Sequence, residues 1–425
     1  MDSVLLDSAH DAIEAIYLNI NRKKKWVLDA DITGCFDHIA HKPLLAKLKA
    51  VFGRKLIKQW LKAGIMEDWK FLESTEGTPQ GGIISPLLAN IALNQMESDL
   101  LEELKSISKI VAKIIRYADD FVVLHEDRAV VEYAKIYIQK WLAKIGLELS
   151  EEKTKIVHTT EGFDFLGFTI RHYPKLQKGY VALNVQQPNR QDFKTLIQPS
   201  KKKVKAHIQK LGKIIKESKA VTAEELIERL QPKITGFANY YRFFCYSDAF
   251  SYTTHWLRYR LWVWAKRRHP NKGYRWVADK YFTMDEGRRW HLKDAKGNTL
   301  KYPKGANRRY VKVRAGKSYY DGDTLYWSQR LSKGYGDITP SKAKMLKKQN
   351  GIGTYCHKYF KAGDKMEAHH LIHKVEGGSN SYNNLALMHN HCHDQYHAEY
   401  VKLKNNLRKK QGYIKVGDIW IKFHN

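Results

Sequence analysis

The stretch RYADDFVVL, residues 116–124, sets two carboxylates, Asp119 and Asp120, side by side between two apolar runs. Adjacent acids repel each other, and a bound cation offsets that repulsion. Nucleotidyl transfer uses two divalent cations about 3.5–4 Å apart, which clamp the attacking and leaving oxygens. Magnesium takes oxygen ligands and keeps several waters, so a few carboxylates suffice. A third acid is expected at the end of another strand of the same sheet. WVLDADITGCFD offers Asp31, and also Asp29 two residues earlier on the same strand face. Spacing alone does not choose between them.

A second set lies in MEAHHLIHKVEGGSNSYNNLALMHNHCHDQYH, residues 366–397. One metal acting as Lewis acid and one neutral imidazole that takes a proton from water can hydrolyse a phosphodiester. His369 and His370 are consecutive on an expected strand and point to opposite sides, so one suits a metal and the other a substrate. His393 and His397 are four residues apart, the spacing that shares one helical face. Asn384 sits in NNLAL, ahead of an expected helix.

These residues need strands and helices to hold them. Residues 8–20 carry helical spacing, KKWVLDADI reads as a buried strand, and residues 43–63 read as helical. STEGTPQGGIISP is a loop entering a helix, LLANIALNQMESDLLEEL. KIIRYADDFVVLH reads as strand, two-residue tip and strand. Residues 128–145 form an amphipathic helix and GFDFLGFTI one strand. From about 200 to 270 the chain turns helical and basic, 271–345 shows no clear pattern, and 341–351 reads as a helix or linker ending at Gly351. The fold class is α+β, in several domains.

The formal charge of +30 is unevenly placed. Residues 1–180 hold 25 basic and 25 acidic side chains, 181–344 hold 36 and 13, and 345–425 hold 13 and 6. Such a field attracts polyanions and points to nucleic acid. No run of about 18 apolar residues is present, so no membrane span is expected. The acidic, amphipathic N-terminus does not read as a signal peptide. Four scattered cysteines suit a reducing compartment, not a disulfide scaffold.

DADITGCFD, EGTPQGGIISPLLANIALN, RYADDFVVL, GLELSEEKTKI and FDFLGFTI, in that order, resemble the successive motifs of a reverse transcriptase, above all the group II intron-encoded type. The resemblance implies that Asp31, Asp119 and Asp120 hold catalytic Mg²⁺. It sets Phe36 where the sugar 2′ position is tested, and Pro79, Gln80 and Gly81 where incoming nucleotide and template are held. It brings Lys153 near primer or nucleotide and Tyr117 under the primer end, with a solvated lysine and plain strand packing as the alternatives. The family's finger region, which precedes its second conserved block, has no counterpart here. That implies poor unaided polymerisation, with three alternatives: a truncated copy, a partial gene product, or one part of a split enzyme whose fingers a separate chain supplies. The aromatic-rich, basic stretch 234–270 resembles the family's maturase thumb, best at NYYR (239–242), with Arg242, Arg258, Lys266, Arg267 and Arg268 expected to face RNA phosphates. Trp256, Leu257, Leu261 and Trp264 are expected in the core.

The 366–397 block resembles an HNH, or ββα-metal, nuclease. The resemblance makes His370 the general base, Asn384 the residue that orients it, and His369, His393 and His397 ligands for Mg²⁺ or Mn²⁺; His357, His373 and His391 are left as surface or core. Such modules often carry a structural Zn²⁺ on two Cys-x-x-Cys-like pairs. Here the candidates are Cys356, His389 and Cys392, with Gly353 where a fourth ligand is expected, one short of the usual four. The domains implied are a partial palm (1–185), a helical thumb (186–275), a basic DNA-binding segment (276–345) and the nuclease (346–425). The expected activity is that of a group II intron-encoded protein: it binds intron RNA, assists splicing, nicks target DNA and copies the intron from the freed end with dNTPs. The alternatives are a binding-only RNA chaperone and a DNA-nicking enzyme with a vestigial palm. The expected location is the bacterial cytoplasm or an organelle.

Overall fold

The structure, a computed structural model, describes residues 8–422 except 50–52, 68–69, 73–74, 79–81, 175–191, 285–289, 307–308, 315, 320, 332–334, 337, 362, 375–376, 411–412 and 417–418. It divides into two units, Met1–Gly316 and Lys317–Asn425.

The first unit opens with α1 (Ala9–Ile20), capped by Ser8, and β1 (Trp26–Ala30). The helical stretch expected over 43–63 is broken. After α2 (Cys35–His38) come α3 (His41–Lys47) and α4 (Arg54–Leu61), with Gly53 at φ 85° between the last two. β2 (Ile65–Glu67) and β3 (Lys70–Leu72) pair as a hairpin. The next expected helix is also two, α5 (Ser85–Leu93) and α6 (Met96–Ile107). Gln95 between them has φ 78°, a left-handed conformation that ends a right-handed helix.

β4 (Lys113–Tyr117) and β5 (Asp120–His125) form the expected hairpin, followed by α7 (Arg128–Ala143) and β6 (Lys155–His158). GFDFLGFTI is a hairpin, not one strand: β7 (Phe163–Phe165) and β8 (Phe168–Pro174) turn at Leu166 and Gly167, φ 46° and 79°. Positive φ at both central residues is what a tight two-residue hairpin turn demands. β9 (Phe193–Pro199) completes that three-stranded sheet.

The main sheet runs β4-β5-β1-β6, antiparallel throughout. Alternation splits its side chains between two cores. Leu28, Ala30, Phe121 and Val123 pack against Leu88, Leu100, Ile138 and Leu142 of α5, α6 and α7. Val27, Val122 and Leu124 face Ile13 and Ile16 of α1, Phe168 of β8, and the helices beyond. With both faces covered, β5 is buried from Phe121 to His125, which is why FVVL reads as an unbroken apolar run.

Those further helices are α8 (Lys201–Glu217), α9 (Ala223–Tyr241) and α10 (Ser247–Arg268), then α11 (Tyr274–Tyr281) and the hairpin β10 (Phe282–Met284) and β11 (Trp290–Leu292). α9 starts at Thr222, whose hydroxyl accepts from Glu225 N at 3.2 Å, half of a capping box. Leu211, Leu230, Leu257, Leu261, Trp264 and Leu292 form a third core. Residues 309–313 lie on α1: Arg309 pairs with Glu14 at 2.7 Å, and Val313 N donates to Asp11 Oδ1 at 2.7 Å. The second unit holds α12 (Thr324–Leu331), α13 (Pro340–Lys348), the hairpin β12 (Met366–His370) and β13 (Leu385–His389), α14 (Asn390–Lys410), β14 (Tyr413–Val416) and β15 (Ile419–Lys422). Ile338, Leu346, Phe360, Met366 and Leu387 are its core. Among the described residues no helix is long and apolar enough to cross a membrane.

Arg116 clamps the β4–β5 turn to the helices. Its Nε donates to Glu97 Oε1 at 2.7 Å, and its Nη1 to Asn90 Oδ1 and to the carbonyl of Ala118, both at 2.9 Å. Ala118 is left-handed at φ 56°, so that carbonyl bond holds a turn the backbone does not favour. The Arg116–Glu97 side chains keep only 10% and 12% exposure. Arg116→Met is therefore expected to lose about 3–5 kcal/mol, because it strands Glu97 without a partner. Urea unfolding measures this; a loss below about 1 kcal/mol, as for an exposed pair, would contradict it.

Candidate active sites and nucleic-acid interface

The last β1–β5 pair is Ala30↔Phe121, so Asp31 stands level with Asp120. Asp29 pairs with Val122, one rung in on the same face. Spacing left Asp29 and Asp31 equivalent; the register puts Asp31 at the turn and Asp29 deeper. Burial, then Asp120, Asp164 and Asp31, push Asp29 up to about 7. Burial, then Asp119 and Asp31, push Asp120 up to about 6, against the pull of Lys153 and Lys203. Asp119 also acts on Cys35, whose thiol burial first, and Asp119 second, push up to about 12. The acids thus feel one another across β1, the turn and α2, the arrangement that a divalent cation with oxygen ligands relieves.

Lys153 Nζ donates to Asp31 Oδ2 at 3.0 Å. Phe36 is half-buried on the first core, and its carbonyl accepts from Thr78 N at 2.6 Å. The contact pins the start of the TPQGG loop to α2. Gly77 is required there: with φ 78°, a Cβ would lie 2.4 Å from the Asp37 carbonyl oxygen. Pro79, Gln80 and Gly81 lie outside the described residues. Tyr117 packs on the second core, toward α1 and α9. Lys203, in the first turn of α8, was not singled out from the sequence; its signal was the basic run 201–219.

Of the five cations expected to face RNA phosphates, Arg242, Arg258, Lys266, Arg267 and Arg268, only Arg267 is exposed and the other four are half-buried. Lys266 Nζ donates to the Pro270 carbonyl at 3.3 Å, and Arg268 Nη1 to those of Lys219 and Val221 at 2.9 and 2.7 Å. Cations at a helix C-terminus are drawn to free carbonyls, and there they tie chain ends together. Arg258 is half-buried; Arg242 lies over the Phe243 ring at 4.9 Å. Leu257, Leu261 and Trp264 are core, whereas Trp256 is only half-buried. It lines a groove of about 780 Å³ between α8 and α10, with Lys213, Lys216, Arg260 and Arg267. Arg260 lies over Trp256 at 4.9 Å. Gly212 lets the helices meet, since a Cβ there would sit 2.7 Å from the Trp256 ring. No acid lines this groove among the described residues. Aromatic faces and guanidinium planes with phosphate-seeking lysines suit unstacked RNA.

In the second unit, one ring nitrogen each from His369, His393 and His397 lies within 4.8 Å of the others. His393 and His397 meet through their Nε2 atoms at 3.2 Å. His369 is buried on β12, and its Nε2 has no hydrogen-bond partner. Burial, then His393 and His397, push His369 down to about 4, so the ring is neutral and its lone pair free. A buried imidazole nitrogen without a partner, facing two others, fits a metal ligand set. His370 points to the other side of β12, with Nε2 2.9 Å from Asn380 Oδ1.

Asn384 makes its side-chain hydrogen bonds to the backbone rather than to that ring. Its Oδ1 accepts from Ile372 N at 2.8 Å, and its Nδ2 donates to the carbonyls of Ile372 and Ser379 at 3.0 and 2.9 Å. Asn384, expected to orient His370, bonds to the loop that carries Asn380, and Asn380 meets His370. A short amide on the neighbouring strand reaches the loop backbone before it reaches across to the ring. His373, set aside from the sequence, has its ring 5.5 Å from that of His397 and a buried Nε2 without a partner. His357 and His391 are exposed. Cys356, His389 and Cys392 gather as a separate group.

Residues 2–170 match the reverse transcriptase (RNA-dependent DNA polymerase) family, 204–282 the group II intron maturase-specific domain, and 354–399 the HNH endonuclease family. The group II intron-encoded protein LtrA of Lactococcus lactis subsp. cremoris is 32% identical over 229 residues, covering 39% of this chain and 38% of that protein. Protein YkfC of Escherichia coli (strain K12) is 32% identical over 199 residues, 38% of this chain and 51% of that one. An uncharacterized 91 kDa protein in the cob intron of Schizosaccharomyces pombe is 29% identical over 223 residues, 39% and 27%. The chain spans 38% to about half the length of the first two relatives. Along the chain, the palm motifs lie in the reverse transcriptase match, α8–α11 in the maturase-specific match and the ββα histidines in the HNH endonuclease match, in that order, so the chain is similar in three successive segments to proteins encoded by group II introns.

Proposed function

We propose that this chain binds a group II intron RNA, assists its splicing, nicks target DNA through the HNH domain, and extends the freed 3′-hydroxyl with dNTPs along the intron. What supports the reading above all is the register that aligns Asp31 with Asp120 beside Asp119. In it, Asp31, Asp119 and Asp120 hold Mg²⁺, which when bound supplies Lewis acidity to the reacting oxygens. Lys153 balances Asp31 while the ions are away. Phe36, anchored to Thr78, stands at the sugar, and the Trp256 groove takes unpaired intron bases between phosphate-binding lysines.

In the HNH domain, His369, His393 and His397 hold Mg²⁺ or Mn²⁺, which when bound polarises the scissile phosphate. His370, steadied by Asn380, takes the proton of the attacking water. Asn384 keeps the loop, and so that ring, in place.

Primer extension on an RNA template tests the palm, and nicking of target DNA tests the nuclease. Asp119→Ala is expected to abolish extension and leave nicking intact; His370→Ala is expected to do the reverse. Extension that survives Asp119→Ala would refute the palm assignment, and no nicking with either cation would favour the binding-only reading.

The acids also set a pH dependence. Asp29 and Asp120 titrate higher folded than unfolded, so the folded chain holds more protons between the ordinary carboxylate range and about 7 and about 6, respectively. Their stabilising contribution is full below that window and lost as pH rises through it. Mg²⁺ competes with those protons, so it is expected to raise Tm more at pH 8 than at pH 5. Asp29→Asn should flatten the metal-free decline near pH 7. Thermal melts at both pH values decide, and equal Mg²⁺ shifts would speak against the ion.

Charge reversal of Lys213 and Lys216 together should weaken RNA binding and shallow its log–log salt slope by about 0.7 for each single-strand phosphate that the groove no longer neutralises. An unchanged slope would move the RNA off this groove.

A further inference from the structure

Cys356, His389 and Cys392 each bring a ligand atom within 4.8 Å of the others. Three further features say how that group is built. Cys356 Sγ lies 3.3 Å from His389 Nδ1, and on the far side of the ring Nε2 lies 3.3 Å from Asp364 Oδ2. Metal-bound histidines commonly give their second nitrogen to a carboxylate, which fixes tautomer and ring direction. Asp364 is itself held, since Oδ2 accepts from Lys361 N at 2.7 Å. Sitting on the Nε2 side, it is no ligand for an ion at Nδ1.

Gly353 is the second feature. A Cβ there would lie 2.9 Å from His389 Nδ1 and 3.5 Å from Cys356 Sγ. Position 353 therefore faces the ligand atoms, and the imidazole fills the room a side chain would need. A glycine at 353 and a histidine at 389 form a matched pair.

The third feature is the turn. Gly353 N donates to the Lys358 carbonyl at 2.9 Å, His357 N to that of Gly353 at 3.0 Å, and Ile352 bridges Tyr359. His357 takes φ 54°, the left-handed conformation that closes it. Backbone bonds thus present Cys356 to the other two.

We propose that Cys356, Cys392 and Nδ1 of His389 bind zinc as a three-ligand site whose fourth position stays open to exchangeable water, and that Asp364 is the positioning residue for His389. Structural zinc is normally closed by four protein ligands, whereas three leave one exchangeable position. The proposal rests on the reading of residues 354–399 as an HNH domain and is independent of the His369–His393–His397 set.

Cobalt(II) added to the reduced full chain tests it, because thiolate-to-cobalt charge transfer arises only from a cysteine site. The band is expected in the wild type and in His393→Ala, and is expected to weaken in Cys356→Ser and in Cys392→Ser. Asp364→Asn should lower cobalt affinity about 10–100-fold while the saturated band keeps its intensity. Asp364→Glu, which retains the carboxylate, should bind near wild type and so separate positioning from loss of fold. Added azide should alter the ligand-field bands by entering the open position. An absent charge-transfer band, unchanged affinity in Asp364→Asn, or a spectrum indifferent to azide would each overturn the proposal. Nicking lost with the band intact counts against the nuclease reading alone.

Discussion

The pairing of β1 with β5 governs this molecule. A strand's side chains alternate, so slipping this register by one residue would turn Leu28 and Ala30 away from the α5–α7 core and bury Asp29 and Asp31 among it. The apolar residues enforce the pairing, since Phe121 and Leu28 are wholly buried. The acids are carried along by it. Four carboxylates are thereby gathered at one end of a hydrophobic sheet, and burial first, then that crowding, raises Asp29 and Asp120. Stability and chemistry pull in opposite directions at this place, and the hydrophobic register wins because it is spread over two cores while the repulsion is local.

Much of this was legible from residue order. The β4–β5 hairpin followed from two apolar runs around a short polar tip, and α7 from its amphipathic spacing. The misreadings share a cause. Gln95, Leu166 and Gly53 take left-handed conformations that split what reads as one element into two. Glycine advertises such a break, but glutamine and leucine do not, because neither residue type favours positive φ. Two of the α10 cations also take backbone partners that residue order does not show. Composition says that Lys266 and Arg268 carry charge, and only the three-dimensional path brings the Lys219, Val221 and Pro270 carbonyls beside them.

The histidine site divides the same way. Opposite facing of His369 and His370 follows from strand alternation, and the approach of His393 to His397 from helical spacing. Nothing in residue order brings Asn380 to His370 or His373 to His397, because both contacts are made by the loop between β12 and β13, whose course Asn384 sets from below. Asn384 is tied to that loop through backbone, and an amide suits the place because it accepts from one peptide and donates to two carbonyls at once.

Buried polar groups here fall into two kinds, and the difference separates scaffold from site. Asp294 is buried at 7% exposure, yet it accepts from Lys296 N, Asn298 N and Asn298 Nδ2, and the Asn298 bonds hold its carboxyl below the usual range. His125, buried in β5, accepts from Asp127 N at 2.9 Å and meets Ser108 Oγ at 3.2 Å. Such groups are complete within the chain. Half-buried Asp120 and the buried Nε2 of His369 are different: one lies against Asp119 and Asp31, which outweigh Lys153 and Lys203, and the other faces two further imidazoles without a hydrogen bond. A fold that satisfies Asp294 so fully has the means to satisfy these too. It leaves them short at the two places where carboxylates and imidazoles converge, and at both places the donor atoms are of the kind a divalent cation takes.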